Sequence, residues 1–215
     1  AHLLDAIESG EIPASEIDPL RADRLRKHRD EEIRGRAFEL LARATAAQRA
    51  EVVASYRDCL RRPADPLRGR ELFRRQCAAC HRVAGIGVDV APDISDSRVK
   101  KPEQLLTDIL DPNRAIDANY TSYTVVTVDG RALVGVLAAE TAASVTLRQA
   151  EGKQVVLLRE EIDELRAGGV SLMPEGLERE LSPQAMADLI AFVKHWRYLD
   201  GNIPLDEAAT RGVAK

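Results

Sequence analysis

The sequence is poor in aromatic residues and in cysteine. Only 4% of its 215 residues are Phe, Trp or Tyr, and it contains three cysteines. Two of these cysteines lie together in one short motif, so only Cys59 is left over, which excludes a disulfide framework as the source of stability. So few aromatic rings suit a small domain in which a large flat cofactor completes the core.

Long apolar runs and a surplus of positive charge are also missing. No apolar stretch approaches the roughly 20 residues of a membrane span, and the formal net charge is −4. Acidic residues outnumber basic ones in residues 1–66 and again in the remainder. We therefore expect neither a membrane span in this chain nor a nucleic-acid-binding surface.

The chain starts at Ala1 without the basic and then apolar segments of a signal peptide. We therefore expect a mature or excised piece of a longer protein. With 45% hydrophobic residues, the chain can bury one sizeable core or two small ones, and we expect more than one unit.

Residues 1–66 show the spacing of short helices. Apolar residues recur at helical intervals, and one predicted helix runs from Asp30 to Ala44. Thr45-Ala46-Ala47-Gln48 has the pattern of a capping box, which predicts that a new helix begins at Thr45. Cys59 lies on the apolar face of that helix, so we expect an inert buried thiol.

The helical segment ends in a stretch with two prolines, Arg61-Arg62-Pro63-Ala64-Asp65-Pro66, where we place a domain boundary. Paired helices with aliphatic faces resemble the end of a HEAT-like helical repeat. The resemblance implies a helical arm over residues 1–66 that serves as a scaffold or a connector.

The segment Cys77-Ala78-Ala79-Cys80-His81 places two thiols three positions apart and an imidazole directly after them. This is the arrangement that attaches a c-type haem. Two sulfurs on one helical turn can reach the two vinyl groups of a porphyrin edge, which leaves His81 beneath the iron as the proximal ligand. A redox dithiol and a zinc module stay open as alternatives, although the sequence shows neither a strand-helix-strand context nor a second pair of thiols.

Gly69 and Phe73 precede this motif at the spacing seen in class I c-type cytochromes, and residues 182–196 resemble the closing helix of that family. Ser182 caps this helix and Pro183 takes its first position. In the family the two helices cross at a glycine, since only a residue without a side chain allows so close an approach. The resemblance implies that Phe192 meets Gly69 and Phe73.

Two loops extend the resemblance to class I cytochromes. Ala91-Pro92-Asp93-Ile94 stands where the family has Gly-Pro-x-Leu, so Pro92 is implied as the carbonyl that accepts the hydrogen bond of His81. Ser171-Leu172-Met173-Pro174-Glu175-Gly176 matches the Met-Pro-x-Gly loop, which makes Met173 the implied distal ligand. Four other side chains could compete with Met173 as the distal ligand. Met186 is assigned to the core and His195 to a surface or packing position. His2 and His28 are assigned to the helical arm. An open distal position is the other alternative.

A helix that begins at Pro102 and ends at Asp111-Pro112 is predicted between these loops. The residues that follow become strand-like, with hairpin turns at Asp129-Gly130 and at Glu151-Gly152-Lys153. We expect an antiparallel sheet or barrel of four or five strands at about 119–165. It either caps the haem edge and enlarges a small core, or forms a docking surface.

The predicted fold is therefore mainly α with a β insert: a helical arm at 1–66, a class I cytochrome c domain at 67–200 that is interrupted by the sheet, and a tail at 201–215. The combination is most similar to the C-terminal haem-binding domain of planctomycete- and verrucomicrobium-type multidomain dehydrogenase-like proteins. Such proteins often carry a β-propeller and helical repeats before this domain.

The resemblance implies one haem c bound covalently through Cys77 and Cys80, with His81 and Met173 as iron ligands. It implies an electron-transfer domain rather than an enzyme, in the periplasm or otherwise exported, as the electron-accepting tail of a larger oxidoreductase. Its partner is then a redox protein or an upstream dehydrogenase domain. The alternative is a haem sensor or enzyme with an open or displaceable distal site.

Overall fold

The computed structural model of the chain describes residues 2–26 and 28–199. The predicted tail at 201–215 and the last residue of the predicted domain 67–200 lie outside the described residues. The chain divides into two compact units, one that ends at Ser55 and one that begins at Tyr56. The boundary predicted from the two prolines was at residue 66, later in the chain.

The residues after Ser55 explain the position of this boundary. The helix ends at Tyr56, and Arg57–Arg61 continues as a 3₁₀ helix that contacts helices of the second unit. The Tyr56 hydroxyl lies 2.9 Å from the carbonyl oxygen of Glu178 and 2.8 Å from that of Leu181. Cys59 is buried as predicted, and burial raises the pKa of its thiol to about 11, so the thiol stays protonated at neutral pH.

The first unit contains α1 (His2–Glu8), α2 (Pro19–Arg26) and most of α3 (Glu31–Tyr56). Leu4 and Ile7 of α1 form a small core with Ala37 and Leu41 of α3. Arg36 of α3 makes ion pairs with two carboxylates of α1, each at 2.7 Å. The HEAT-like character of this unit stays a prediction.

Helix α3 is continuous, and the prediction that a new helix begins at Thr45 was wrong. The Thr45 hydroxyl donates a hydrogen bond to the carbonyl of Leu41, four residues earlier in the same helix, at 2.9 Å. Its side chain is therefore engaged within the helix instead of capping a new one.

The second unit is built on α4 (Pro66–Gln76), α5 (Pro102–Leu110) and α6 (Pro183–His195). The side chains of Asp65 and Ser182 accept hydrogen bonds from the first-turn amides of α4 and α6, and a proline occupies the first position of each helix. Residues 186–193 are all buried, so α6 is the central helix of this unit.

Helices α4 and α6 cross at Gly69, as the resemblance implied. A Cβ atom at Gly69 would lie only 1.9 Å from the carbonyl oxygen of Asp188 and 2.8 Å from the Cβ of Phe192. One turn further along α4, the rings of Phe73 and Phe192 are 5.4 Å apart between centroids. The predicted contact of Phe192 with Gly69 and Phe73 is confirmed.

A buried carboxylate joins the same two helices. Asp188 of α6 accepts hydrogen bonds from the Asp65 amide at 2.7 Å, from Arg68 Nε at 2.8 Å and from Gln184 Nε2 at 3.1 Å. Burial on its own raises the pKa of Asp188, but these hydrogen bonds outweigh it and hold the pKa below its usual 3.8. The ionised carboxylate therefore fastens the start of α4 to α6.

Replacing Asp188 by Asn is expected to lower the free energy of unfolding at pH 7 by about 1.5–3 kcal/mol, the range for hydrogen bonds to a charged group. The folded pKa is below the unfolded value, so this contribution is complete above the unfolded pKa and is lost as the pH falls through the folded one. Urea unfolding at several pH values measures it: the difference between wild type and Asp188→Asn should shrink below about pH 4. A pH-independent difference would show that the charge of Asp188 is unimportant.

A short hairpin of β1 (Arg82–Val83) and β2 (Ile86–Gly87) precedes the insert, which is a five-stranded antiparallel sheet. The strands of the insert are β3 (Thr121–Thr127), β4 (Ala132–Glu140), β5 (Ser144–Arg148), β6 (Gln154–Leu158) and β7 (Ile162–Ser171). They lie in the sheet in the order β6-β5-β4-β3-β7. One face carries its own core of Val125, Val145, Leu147 and Leu157. The predicted number of strands is confirmed.

The end of the insert was predicted too early, at about residue 165. Strand β7 runs on to Ser171 and pairs with β3 through a register shift. Gly168 passes so close to β3 that a Cβ would lie 2.6 Å from Ser122 Oγ, and Gly169 has a φ of +66°. The two adjacent glycines allow this irregular end of the strand.

Candidate functional site

The second unit contains a cavity of about 480 Å³ that lies among α4, α5, α6 and the insert. Four of the five predicted site residues line it: Cys77, His81, Pro92 and Met173. The fifth, Cys80, precedes His81 in the same turn and is half-buried. Residues separated by up to 96 positions in the sequence are thus brought to one place.

The Cys77–His81 motif forms a compact turn at the end of α4. The amide of Cys77 donates to the carbonyl of Phe73 at 2.8 Å, and the amide of His81 donates to the carbonyl of Cys77 at 2.8 Å. Both Cys77 and Cys80 are free thiols. The motif is therefore a continuation of the helix into a turn, which keeps its two sulfurs and its imidazole close together.

The environment of the two thiols differs from that of a redox dithiol. Burial, together with the charge of Cys80, raises the pKa of Cys77 to about 12, and burial raises the pKa of Cys80. Reactive dithiols need the opposite shift, since the thiolate is the nucleophile. Within residues 2–26 and 28–199, no group of three or more His, Cys, Asp or Glu side chains is placed to hold a metal ion. Neither a redox dithiol nor a zinc module therefore gains support as an interpretation of the motif.

The imidazole of His81 is fixed in orientation by the Pro92 carbonyl. Nδ1 lies 2.8 Å from that oxygen, so Nδ1 carries the hydrogen and donates it, and Nε2 keeps the lone pair. The hydrogen bond that the resemblance implied is present. Burial lowers the pKa of His81, and the Pro92 hydrogen bond opposes this shift only partly. The neutral imidazole, which is the form that can act as a metal ligand, is therefore favoured at neutral pH.

The loop between His81 and Pro92 is held by backbone contacts. A two-stranded hairpin pairs β1 (Arg82–Val83) with β2 (Ile86–Gly87), and the amides of Val90 and Ala91 both donate to the carbonyl of Cys80. Gly87, with a φ of +90°, passes so close that a Cβ would lie 2.1 Å from the His81 carbonyl oxygen. These contacts bring Pro92 back to the imidazole.

Met173 lies on the wall of the same cavity, just after the end of β7. Neither of its two nearest competitors lines the cavity. Met186 is fully buried in α6, and His195 is buried at the end of that helix, where desolvation and the charge of Lys194 lower its pKa. Among the methionine and histidine side chains of residues 56–199, only Met173 and His81 line the cavity.

The remaining lining suits a large flat apolar group with a polar margin. Apolar side chains form most of the wall, including Leu105, Ile109, Val136, Leu189 and Val193. At the margin, Asp108 pairs with Lys100 at 2.7 Å and lies 3.7 Å from Arg114. This lining, together with the two thiols of the motif, the His81 imidazole and the Met173 thioether, fits a haem attached through its vinyl groups.

The insert contributes directly to this site, through individual contacts that the sequence does not reveal. Val136 of β4 lines the cavity. In the turn between β5 and β6, the amide of Glu151 donates at 2.7 Å to the carbonyl of Ala79, which lies between the two cysteines. Arg148 Nη1 donates to the carbonyl of Asp89 at 2.5 Å. No motif marks these contacts, because they depend on how the hairpin folds back onto the loop.

Comparison with known proteins agrees with this geometry. The family model described as Cytochrome c matches residues 67–197, which span α4, α5, the insert and α6. No curated protein sequence matches the chain significantly. None of the helices in the described part of the chain is long and apolar enough to cross a membrane.

Proposed function

Because the chain belongs to the cytochrome c family, whose members carry covalently bound haem, we propose that it transfers single electrons through one haem held by Cys77, Cys80, His81 and Met173. When bound, the haem supplies an iron that alternates between the ferric and ferrous states. Cys77 and Cys80 would anchor it through thioether bonds, and His81 and Met173 would be the protein ligands of its iron. The proposed fold of the domain is that of a class I cytochrome.

The observation that carries this proposal is the shared cavity of Cys77, His81 and Met173, in which the Pro92 carbonyl orients the imidazole. A hydrogen bond to Nδ1 raises the basicity of a ligating histidine. A thioether in the other position raises the reduction potential above that of a site with two nitrogen ligands. Two permanent protein ligands suit electron transfer, since no coordination position has to open.

The wider context is also part of the proposal. The resemblance of residues 67–200 to the haem-binding tail of planctomycete-type multidomain proteins supports an exported, periplasmic location and an upstream dehydrogenase domain as the electron donor. The helical unit that precedes the haem site is compatible with a connector in such a protein. In this arrangement the chain accepts electrons and does not itself transform a substrate.

Replacing Met173 by Leu tests the ligand assignment. Leu has a similar volume but lacks the sulfur, so the ferrous variant is expected to bind one carbon monoxide per haem, whereas the wild type binds little. The ferric variant is expected to become largely high-spin. Absorption spectra in both oxidation states, with and without carbon monoxide, measure these changes.

Met186→Leu is the matched control, because it removes the other methionine of the chain from a fully buried position in α6. Its spectra and carbon monoxide binding should match those of the wild type. If the wild type itself binds carbon monoxide rapidly, the alternative function is favoured, which is a haem sensor or enzyme with an open or displaceable distal site. If Met173→Leu leaves a six-coordinate spectrum unchanged, Met173 is not the ligand.

A further inference from the structure

We propose that Asn113 is a positioning residue that holds the Met173 loop closed over the cavity. This inference rests on the proposed role of Met173 as an iron ligand. Asn113 follows α5 where the chain leaves for the insert, and Ser171 lies where the chain returns from it. The two residues are 58 positions apart in sequence and are joined by a hydrogen bond.

The side-chain amide of Asn113 forms hydrogen bonds with the loop on both sides of Met173. Its Oδ1 accepts a hydrogen bond from the backbone amide of Ser171 at 2.8 Å. Its Nδ2 donates to Oε1 of Glu175 at 2.5 Å. Ser171 and Glu175 each lie two residues from Met173, so one amide group spans the segment that carries the thioether.

The contact reaches Met173 through a second hydrogen bond. The Ser171 hydroxyl oxygen accepts from the backbone amide of Met173 at 3.1 Å. Ser122 of β3 reinforces the same end of the loop, because its hydroxyl donates to the carbonyl of Val170 at 2.7 Å. Asn113 thus fixes Ser171, and Ser171 fixes the backbone of Met173.

An asparagine suits this position because the loop presents one donor and one acceptor. An amide side chain offers both an oxygen acceptor and an NH₂ donor, whereas a carboxylate offers acceptors alone. Asn113→Asp keeps the partner of the Ser171 amide but places a negative charge against Glu175. The second change Glu175→Gln restores a donor and acceptor pair with reversed polarity.

The experiment measures the rate at which carbon monoxide binds the ferrous holoprotein, since binding requires Met173 to leave the iron. Asn113→Ala is expected to raise this rate at least tenfold, and Asn113→Asp by a similar factor. The double variant Asn113→Asp with Glu175→Gln is expected to return the rate to within about threefold of the wild type. A merely structural role would not produce this rescue. Glu175→Ala, a change on an exposed loop, is expected to give an intermediate increase.

Asn119→Ala is the matched control, because Asn119 is an exposed asparagine whose side chain bonds to Asp117 outside the loop. Its rate should equal that of the wild type. The proposal is overturned if the wild type shows thioether ligation, Met173→Leu opens the iron, and yet Asn113→Ala binds carbon monoxide no faster than Asn119→Ala. If Met173→Leu does not differ from the wild type, the ligand assignment itself fails, and the role of Asn113 fails with it.

Discussion

Replacing both Cys77 and Cys80 by Ala is expected to abolish covalent attachment of haem. The chain has one other thiol, that of Cys59, which is buried in the segment Arg57–Arg61 and does not line the cavity that Cys77 lines. When neither sulfur is present, no thioether bond to the haem can form. His81 and Met173 remain, so the variant retains the proposed iron ligands but loses the sulfurs that would anchor the haem.

The mass of the denatured chain measures this effect after expression together with haem-maturation machinery. The wild type should be heavier than the bare chain by one haem, and the double variant should have the mass of the bare chain. Cys59→Ala removes one thiol elsewhere and should keep the haem. A double variant that still carried covalent haem would show that the motif is not the attachment site.

Replacing Gly69 by Ala is expected to have the second large effect, a loss of about 3 kcal/mol or more in the free energy of unfolding. Overpacking usually costs about 1–3 kcal/mol. Here the added Cβ would lie 1.9 Å from a backbone oxygen of α6, which cannot rotate away as a side chain could. Helices α4 and α6 would have to separate, and the cavity between them would widen. Urea unfolding followed by circular dichroism measures the change.

Gly35→Ala is the control for this prediction. Gly35 also lies inside a helix, α3, but an added Cβ there would have no atom within 4 Å apart from its chain neighbours and the backbone of the same helix. Alanine is about 0.5–1 kcal/mol more favourable than glycine inside a helix. Gly35→Ala should therefore stabilise the protein slightly. If Gly69→Ala were as stable as the wild type, the close crossing would be wrong.

The parts that could be predicted from the sequence are those that depend on local spacing or on a strong motif. Gly69 and Phe73 precede the Cys77–His81 motif at a fixed distance, and the structure confirms their contact with Phe192. The resemblance to class I cytochromes implied the hydrogen bond between His81 and Pro92, and the structure contains it. A segment rich in Thr, Val and Tyr and two hairpin turns were sufficient to predict the strands of the insert.

The parts that could not be predicted depend on tertiary contacts. Thr45 could cap a helix or bond within one, and the choice depends on whether α3 continues past it. The glycines at 168 and 169 are typical of a loop until β3 lies beside them. An aspartate in an amphipathic helix is usually exposed, and Asp188 is buried because Arg68 and the Asp65 amide meet it from α4.

Several contacts that shape the site also depend on tertiary structure and could not be predicted from the sequence. Asn113 follows a helix end, and its position in the sequence does not predict that its amide lies where the two ends of the insert meet. Glu151 has a φ of +62°, unusual for a residue other than glycine, and its amide bonds to the turn between the two cysteines. The folded insert shows which of its residues take part in the cavity wall, Val136 among them.

The absorption spectrum of the haem-loaded wild type in both oxidation states tests the central claim most directly. A haem held by His81 and Met173 predicts a low-spin, six-coordinate iron in the ferric and the ferrous form, with a thioether-to-iron charge-transfer band in the ferric spectrum. A protein that carries no haem would contradict the account. A high-spin spectrum, or one with two histidine ligands, would contradict the proposed iron site.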